Sequence, residues 1–308
     1  MKWYDILAFI MIFVLLGITI YFLWYNLSGE VEEFNRYNLN EYENLPSKSL
    51  QFYSNMRYMD RVITYSLDSI CSEKKKTDFE NAVKILEQKT ALDFSKSGNL
   101  GDAQIKVYCS NNAPEPEQKD HFIAGEGGPT EIINASRYAV MFTGQILLYR
   151  EETCDEPKIA IHELLHALGF DHNKNENSIM YPVTDCAQEI DQDIIDEINR
   201  LYAEPSFADL LIENINANKS GRYLNFNIVI ANYGLKNVYN SSLDIEADGA
   251  VIKTFSLGGF DIGTKRSLSV TDLRIPRDAL EIAFEIKTKD PEINKDNNKA
   301  KIGIVKKR

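Results

Sequence analysis

The sequence predicts an α+β protein in three parts: an N-terminal transmembrane helix, a central domain with a mixed sheet and helices, and a C-terminal all-β, immunoglobulin-like sandwich. Three observations predict it. An apolar run occupies residues 3–25, strand and helix patterns alternate between residues 58 and 203, and about seven short alternating runs follow residue 205. Short strands at such spacing, with turn signals between them, are typical of a sandwich.

Length and composition are those of a folded protein with about two domains. The chain has 308 residues, of which 44% are hydrophobic and 26% charged, so it can bury a core and is not globally disordered. Its formal net charge is −12. A nucleic-acid-binding protein needs a basic surface, so nucleic acid is excluded as a partner. Composition does not determine the oligomeric state.

The apolar run at the amino terminus predicts a membrane anchor rather than a cleaved signal peptide. From Ile6 it is long enough to cross a bilayer, which takes about 20 residues, and it exceeds the roughly 7–15 apolar residues of a signal peptide. Lys2 precedes the run and three glutamates follow it within residues 30–33. The positive-inside rule predicts a single-pass protein of the cell membrane. Residues 1–27 would be the cytoplasmic stub and anchor in the lipid bilayer, and all later residues would be extracellular.

The rest of the chain divides into three segments. Residues 28–50 are rich in Glu, Asn and Tyr without a clear period, which indicates a stalk; a latency segment is the alternative. A Pro-containing boundary at residues 203–206 separates a domain at 51–204 from one at 205–308.

The central domain alternates strands and helices. Val62 to Leu67 shows the alternating, β-branched pattern of a strand, and Phe79, Ala82, Val83 and Leu86 recur at helical spacing. The predicted elements are strands at 61–67, 104–108 and 145–149 and helices at 78–92 and 191–201.

The C-terminal domain is predicted to be all-β. Its predicted strands are 209–215, 224–231, 242–248, 251–257, 267–273, 281–288 and 301–305. Phe284 to Lys287, followed by residues 290–298 with their Asn297-Asn298 pair, resembles the end of CARDB-type adhesion modules. Such a domain would bind a surface or substrate; a spacer that orients the central domain is the alternative.

Residues 162–172, His-Glu-Leu-Leu-His-Ala-Leu-Gly-Phe-Asp-His, carry the chemistry. On a helix, His162 and His166 lie on one face with about 5–6 Å between their Cβ atoms, so both imidazoles can bind one metal ion. Glu163 lies off that axis. Gly169 can take the left-handed conformation that ends the helix, and the reversal brings His172 to the same ion. Three nitrogen ligands leave one tetrahedral position open, as a catalytic zinc site requires.

The pattern H-E-x-x-H-x-x-G-x-x-H resembles the metzincin zinc-peptidase signature. Ser178-Ile179-Met180-Tyr181-Pro182 resembles the methionine turn of that family, and its ending is most similar to the matrixin branch. The resemblance extends over about residues 50–203. It implies a twisted mixed sheet with an active-site helix, and it implies a zinc endopeptidase that acts on polypeptides.

The resemblance also implies roles for individual residues. One catalytic Zn²⁺ would be bound by His162, His166 and His172, and Glu163 would be the general base that accepts the proton of the attacking water. Met180 would form a hydrophobic floor under the imidazoles. Tyr181 and Pro182 would be walls of the substrate pocket.

Other features follow or depart from the family pattern. In the family, a strand in the region of residues 122–134 forms the upper rim of the cleft; an ordinary loop is the alternative here. Matrixin zymogens carry a propeptide cysteine, but no cysteine precedes Cys71. Many matrixins bind Ca²⁺, but this sequence has no clear loop for it. The fourth histidine, His121, is interpreted as an ordinary residue.

Four cysteines occur without a C-x-x-C pair, which argues against a redox motif or a zinc knuckle. An even number in an extracellular domain predicts two disulfides, with three connectivities open. Cys71 and Cys109 each follow a predicted strand, whereas Cys154 and Cys186 flank the histidine motif and the methionine turn. The favoured pairing is therefore Cys71–Cys109 and Cys154–Cys186. Four reduced thiols in a cytoplasmic protein are the alternative.

A second function remains open at this stage: a catalytically idle, anchored adhesion or envelope protein with a structural zinc. A structural site is usually closed by a fourth Cys or His, and Cys154 or Cys186 could supply it. The presence of Glu163 favours the enzyme, because a structural site needs no base.

Overall fold

The computed structural model describes residues 3–27, 32–37, 50–115 and 123–304; His121 lies outside them. The helices are α1 (Trp3–Leu27), α2 (Glu73–Lys89), α3 (Lys158–Ala167) and α4 (Gln192–Ala203). The first seven strands are β1 (Glu32–Tyr37), β2 (Met56–Tyr58), β3 (Val62–Leu67), β4 (Asp93–Lys96), β5 (Ile105–Cys109), β6 (Gly125–Asn134) and β7 (Ala139–Leu148). The other seven are β8 (Leu210–Ser220), β9 (Tyr223–Asn232), β10 (Val238–Ala247), β11 (Ala250–Phe260), β12 (Lys265–Arg274), β13 (Glu281–Thr288) and β14 (Lys299–Ile304).

The predicted fold class is wrong in its transmembrane helix. A span requires about 20 consecutive, predominantly apolar residues. Residues 3–27 do form the helix α1, but among the described residues no helix combines the length and the hydrophobicity that a membrane span requires. The bilayer, predicted as a partner from the same apolar run, therefore has no support. The described chain is a mixed α/β structure with few helices and many strands.

The central sheet has six strands in the order β2-β7-β5-β3-β4, with β6 paired to β7. All neighbours are parallel except β6 and β7, which form an antiparallel hairpin. Helix α2 buries the predicted face of Phe79, Ala82, Val83 and Leu86. It begins five residues before the predicted start, because the Ser72 hydroxyl caps it by accepting from the backbone N–H of Lys75 at 3.3 Å.

All seven strands predicted in the C-terminal region are present. They form two sets, β11-β10-β13-β14 and β8-β9-β12. The sets face each other across a common core, in which the rings of Phe226 on β9 and Phe284 on β13 lie 5.1 Å apart. Strand β1 links the sets by pairing with both β14 and β8. Its residues, 32–37, belong to the segment predicted as a stalk, and no periodicity indicated a strand there.

The β6–β7 hairpin packs against loops of the C-terminal region. Tyr138 and Val140 share a buried cluster with Leu235 and Ile262 of the C-terminal region. A polar contact adds to it, since Lys236 Nζ lies 2.6 Å from Asp60 Oδ2. The two regions therefore meet through an apolar interface, and one side of it is the hairpin that contains β6.

Candidate metal centre

Helix α3 is held at its N-terminal end by the buried carboxylate of Glu152. This carboxylate accepts hydrogen bonds from the backbone N–H groups of Thr153, Cys154 and Ile159 at 2.8–2.9 Å. An anion at this end of a helix also interacts favourably with the helix dipole. Sequence reasoning missed Glu152, because nothing in its local pattern distinguishes it from a surface acid.

Both predicted disulfides are confirmed: Cys71 is bonded to Cys109 and Cys154 to Cys186, and no cysteine is free. The second disulfide joins the segment before α3 to the segment after the methionine turn. It also removes both thiols that could have closed a structural zinc site. Neither Cys154 nor Cys186 can therefore be the fourth ligand of a structural zinc site.

Gly169 ends the active-site helix as predicted. Its φ is +93°, in the region that favours glycine, and its N–H donates to the carbonyl of His166 at 2.9 Å. The N–H of Phe170 donates to the carbonyl of Leu165 at 3.0 Å. This reversal returns the chain toward the helix, so that His172 faces the two histidines of α3.

The three predicted histidine ligands converge. Nε2 of His166 lies 3.0 Å from Nε2 of His162, and Nε2 of His172 lies 3.1 Å from both. His162 donates from Nδ1 to the carbonyl of Ile179 at 2.5 Å, and His166 donates from Nδ1 to the carbonyl of Phe170 at 2.8 Å. A neutral imidazole that donates from Nδ1 carries its lone pair on Nε2. In at least two of the three rings, the nitrogen at the centre therefore has a lone pair available to a metal ion.

Burial keeps these imidazoles in the neutral form that a metal requires. It lowers the pKa of His162 to about 3, helped by the neighbouring charge of His166, and it lowers the pKa of His166 to about 4. Burial also lowers the pKa of His172. None of the three is protonated by preference at neutral pH.

This donor set fits zinc. Nitrogen lone pairs 3.0–3.1 Å apart repel one another unless a cation lies among them, and these spacings suit three ligands at about 2.0–2.1 Å from one ion. Within the described residues, this is the one group of three or more His, Cys, Asp or Glu side chains arranged for a metal. The carbonyls of Ile179 and Phe170 accept from the Nδ1 atoms of His162 and His166 and orient these two rings, as is usual for metal-bound histidines.

Glu163 follows His162 on α3 and is buried against the first residues of β6. A Cβ added to Gly125 would be 2.7 Å from Glu163 Cγ, and one added to Gly127 would be 2.3 Å from the Glu163 carbonyl oxygen. The strand can cross the helix this closely because both positions are glycine. Burial, followed by the charge of Glu126, raises the pKa of Glu163 to about 8. A bound cation would act in the opposite direction and favour the carboxylate.

Sequence reasoning also missed Glu126 and its partner. The hydroxyl of Tyr149 donates a hydrogen bond to Glu126 Oε2 at 3.0 Å. Tyr149 is 7% exposed, and its pKa is raised by burial and by this bond. Glu126 and Tyr149 come together because β6 and β7 are adjacent in an antiparallel hairpin, a pairing that no local sequence pattern revealed.

The methionine turn is packed directly behind the histidines. Met180 is fully buried in the central core, and its neighbour Ile179 supplies the carbonyl that orients His162. The carbonyl of Met180 accepts from the N–H of Asn173 at 2.9 Å, which connects the turn to the loop that carries His172. Tyr181 is half-buried and Pro182 is exposed. Their roles as pocket walls stay predictions.

Comparisons with known proteins agree with this geometry. Residues 54–203 match the family model described as Matrixin. Stromelysin-1 of Rattus norvegicus is 29% identical over 162 residues, which cover 47% of this chain and 32% of that protein. Matrix metalloproteinase-C of Caenorhabditis elegans is 29% identical over 150 residues, 45% of this chain and 25% of its own length. The match spans about a third or less of each of these relatives.

Two further comparisons are with another metalloproteinase and with a solved structure. Metalloendoproteinase 2-MMP of Arabidopsis thaliana is 27% identical over 161 residues, 48% of this chain and 43% of that protein. A crystal structure of the CARDB domain of a Pyrococcus furiosus protein, in complex with di-metal ions, aligns with a TM-score of 0.28 and 15% identity, covering 32% of this chain and 89% of that one. The family model and the curated relatives support a metallopeptidase, and residues 54–203 of this chain are similar to a matrixin-type metzincin domain.

Proposed function

We propose that this protein is a zinc-dependent endopeptidase that hydrolyses peptide bonds in extended polypeptides at the site formed by His162, His166 and His172. The observation that carries the proposal is the convergence of three Nε2 atoms within 3.1 Å. Glu163, the residue after His162 on the same helix, is buried and supplies a carboxylate. The three nitrogens suit one zinc ion and leave room for water. The carboxylate is a base in reach of that water.

Each residue of the proposed site has a distinct role in the reaction. When bound, zinc supplies a water of pKa about 7 and polarises the peptide carbonyl. Glu163 accepts the proton of the attacking water and passes it to the leaving amine. The carbonyls of Ile179 and Phe170 keep two imidazoles oriented throughout. Met180 supports them from the core, and Tyr181 and Pro182 form walls of the pocket.

Strand β6 is the proposed surface for extended substrate. Among the described strands it pairs with β7 alone, so one of its edges is unpaired. Gly125 and Gly127 place this strand directly over Glu163. An extended peptide added to the unpaired edge would therefore lie with its backbone beside the catalytic carboxylate, which is recognition by strand addition.

The disulfides favour action outside the cytoplasm. Cys71–Cys109 and Cys154–Cys186 use every cysteine in the chain, and such bonds persist in oxidising compartments. We place the catalytic domain in the extracellular space on this ground.

The test compares the parent with Glu163→Ala and Glu163→Gln, all oxidised and loaded with zinc. Both variants are expected to keep one zinc per chain and to cleave an unfolded protein at least about 100-fold more slowly, the usual contribution of a general base. A chelator should abolish cleavage by the parent. If the zinc-loaded parent cleaves no member of a broad peptide library, the proposal is wrong.

A further inference from the structure

Residues 50–52 lie along the loop that follows the active-site helix and are fixed there. The N–H of Phe52 donates to the carbonyl of Gly169, and the N–H of Asp171 donates to the carbonyl of Leu50, both at 3.0 Å. Gln51 forms an antiparallel bridge with Phe170. This short segment therefore runs beside the residues that link His166 to His172.

The side chain of Gln51 anchors the segment at its other side. Its Oε1 accepts from the N–H of Met56 at 3.0 Å, and its Nε2 donates to the carbonyl of Met56 at 2.7 Å. Met56 is the first residue of β2 and is fully buried. The segment is thus tied both to the metal loop and to the central sheet.

This anchoring places the Phe52 ring on a metal-ligating imidazole. The rings of Phe52 and His166 are stacked, with centroids 5.8 Å apart and an interplanar angle of 23°. His162 and His172 meet His166 differently, edge to face at 4.6 Å. Phe52 is 38% exposed, whereas His166 beneath it is 6% exposed. The phenyl ring therefore lies between solvent and one face of this imidazole.

We infer that Phe52 is a positioning residue for zinc: it shields the His166 imidazole from water and holds its plane, so that bound zinc is lost slowly. The inference rests on the proposed zinc site. Zinc leaves when a ligand nitrogen detaches and is captured by a proton or a competing ligand, and both must reach the imidazole from solvent. The apolar shell of a metal site controls that access, and the groups around a ligand set its orientation.

A purely structural role predicts something different. If Phe52 only packs the segment against the fold, its removal lowers the melting temperature without changing how tightly zinc is held. The adjacent Tyr53 provides a matched control, because it is 61% exposed and its ring contacts no histidine among the described residues. Phe52→Leu keeps an apolar cover but removes the flat ring.

The experiment uses the oxidised full-length chain loaded with one zinc. The rate of zinc transfer to excess chromogenic chelator is measured at constant pH, with melting followed in parallel. Phe52→Ala is expected to release zinc roughly tenfold faster or more, within the range seen for changes around metal ligands. Tyr53→Ala should release it at the parent rate, and Phe52→Leu should fall between the parent and Phe52→Ala.

A release rate for Phe52→Ala equal to that of the parent overturns the inference, as does an equal acceleration in Tyr53→Ala. Should Phe52→Ala not fold, Gln51→Ala is the second variant, because it loosens the segment and leaves the Phe52 ring in place. It is expected to accelerate zinc release, and an unchanged release rate in Gln51→Ala also overturns the inference. Release is measured without substrate. If the parent releases zinc slowly but cleaves nothing, the proposed function alone is refuted. If the parent binds no zinc, both the proposed function and this inference are refuted.

Discussion

The backbone of Gly127 lies against the carbonyl of Glu163, so that a Cβ at position 127 would be 2.3 Å from that oxygen. The obstacle is backbone of the active-site helix, which cannot rotate away as a side chain can. Strand β6 and the helix that carries the proposed base are therefore in direct contact, and the identity of one residue sets their separation.

Gly127→Ala is expected to force β6 away from α3, lower activity strongly and destabilise the fold by about 1–3 kcal/mol, as overpacking usually does. Catalytic efficiency and urea denaturation would measure both effects. Gly128→Ala is the matched control, because an added Cβ there meets nothing within 4 Å. Equal behaviour of the two variants would refute the close contact.

The disulfide around the metal segment should stabilise the folded state. Replacing Cys154 and Cys186 with serine opens a loop with a sequence separation of 32 and is expected to cost about 3–4 kcal/mol of unfolding free energy. The Cys71/Cys109 double variant, with a separation of 38, should cost a similar amount. Only the first should also speed zinc release, because it flanks the histidines. Unchanged melting in both variants would contradict the prediction.

The contact between the hairpin and the C-terminal loops should contribute to stability. Leu235 is fully buried in a cluster with Tyr138, Val140 and Ile262. Leu235→Ala is expected to cost about 2–5 kcal/mol of unfolding free energy, the usual range for such a truncation. Val251→Ala, at a position that is 51% exposed, should change it by less than about 0.5 kcal/mol. Denaturant titration of both variants checks this. If Leu235→Ala lowers the unfolding free energy as little as Val251→Ala does, the cluster does not stabilise the fold.

Asp244 is expected to cause part of the acid sensitivity of the C-terminal region. Hydrogen bonds from Lys287 at 2.7 Å and Thr254 at 2.6 Å hold the pKa of its carboxyl below the ordinary value of 3.8. A group with a lowered folded-state pKa stabilises the fold above its unfolded pKa, and this contribution is lost as pH falls through the folded value. The unfolding free energy should therefore fall as pH drops below about 4.

Asp244→Asn should reduce this loss, because an amide does not titrate. Urea denaturation at a series of acidic pH values would show a shallower dependence on pH than in the parent. Asp278→Asn, at an exposed position, is the control and should leave the dependence as it is. If Asp244→Asn and the parent respond identically to acid, the attribution to Asp244 is wrong.

Local sequence patterns predicted the elements that depend on local interactions. The amphipathic face of α2, the seven C-terminal strands and the end of α3 at Gly169 all appear in the structure, since helical spacing, alternation and glycine chemistry act over a few residues. The apolar run at residues 3–25 shows the limit of this reasoning. It predicted a helix, and α1 is one, but composition alone did not justify the membrane span inferred from it.

The candidate site divides in the same way. The spacing of His162, His166 and Gly169 determined the ligand set by itself. The geometry of an α-helix and of a left-handed turn is local, so it brings these ligands together independently of the rest of the fold. Only the tertiary structure decided that Phe52 covers His166 and that β6 crosses Glu163. These contacts join segments about 35 residues or more apart in the chain, and the free energy that selects them comes from packing between elements, which no local pattern records.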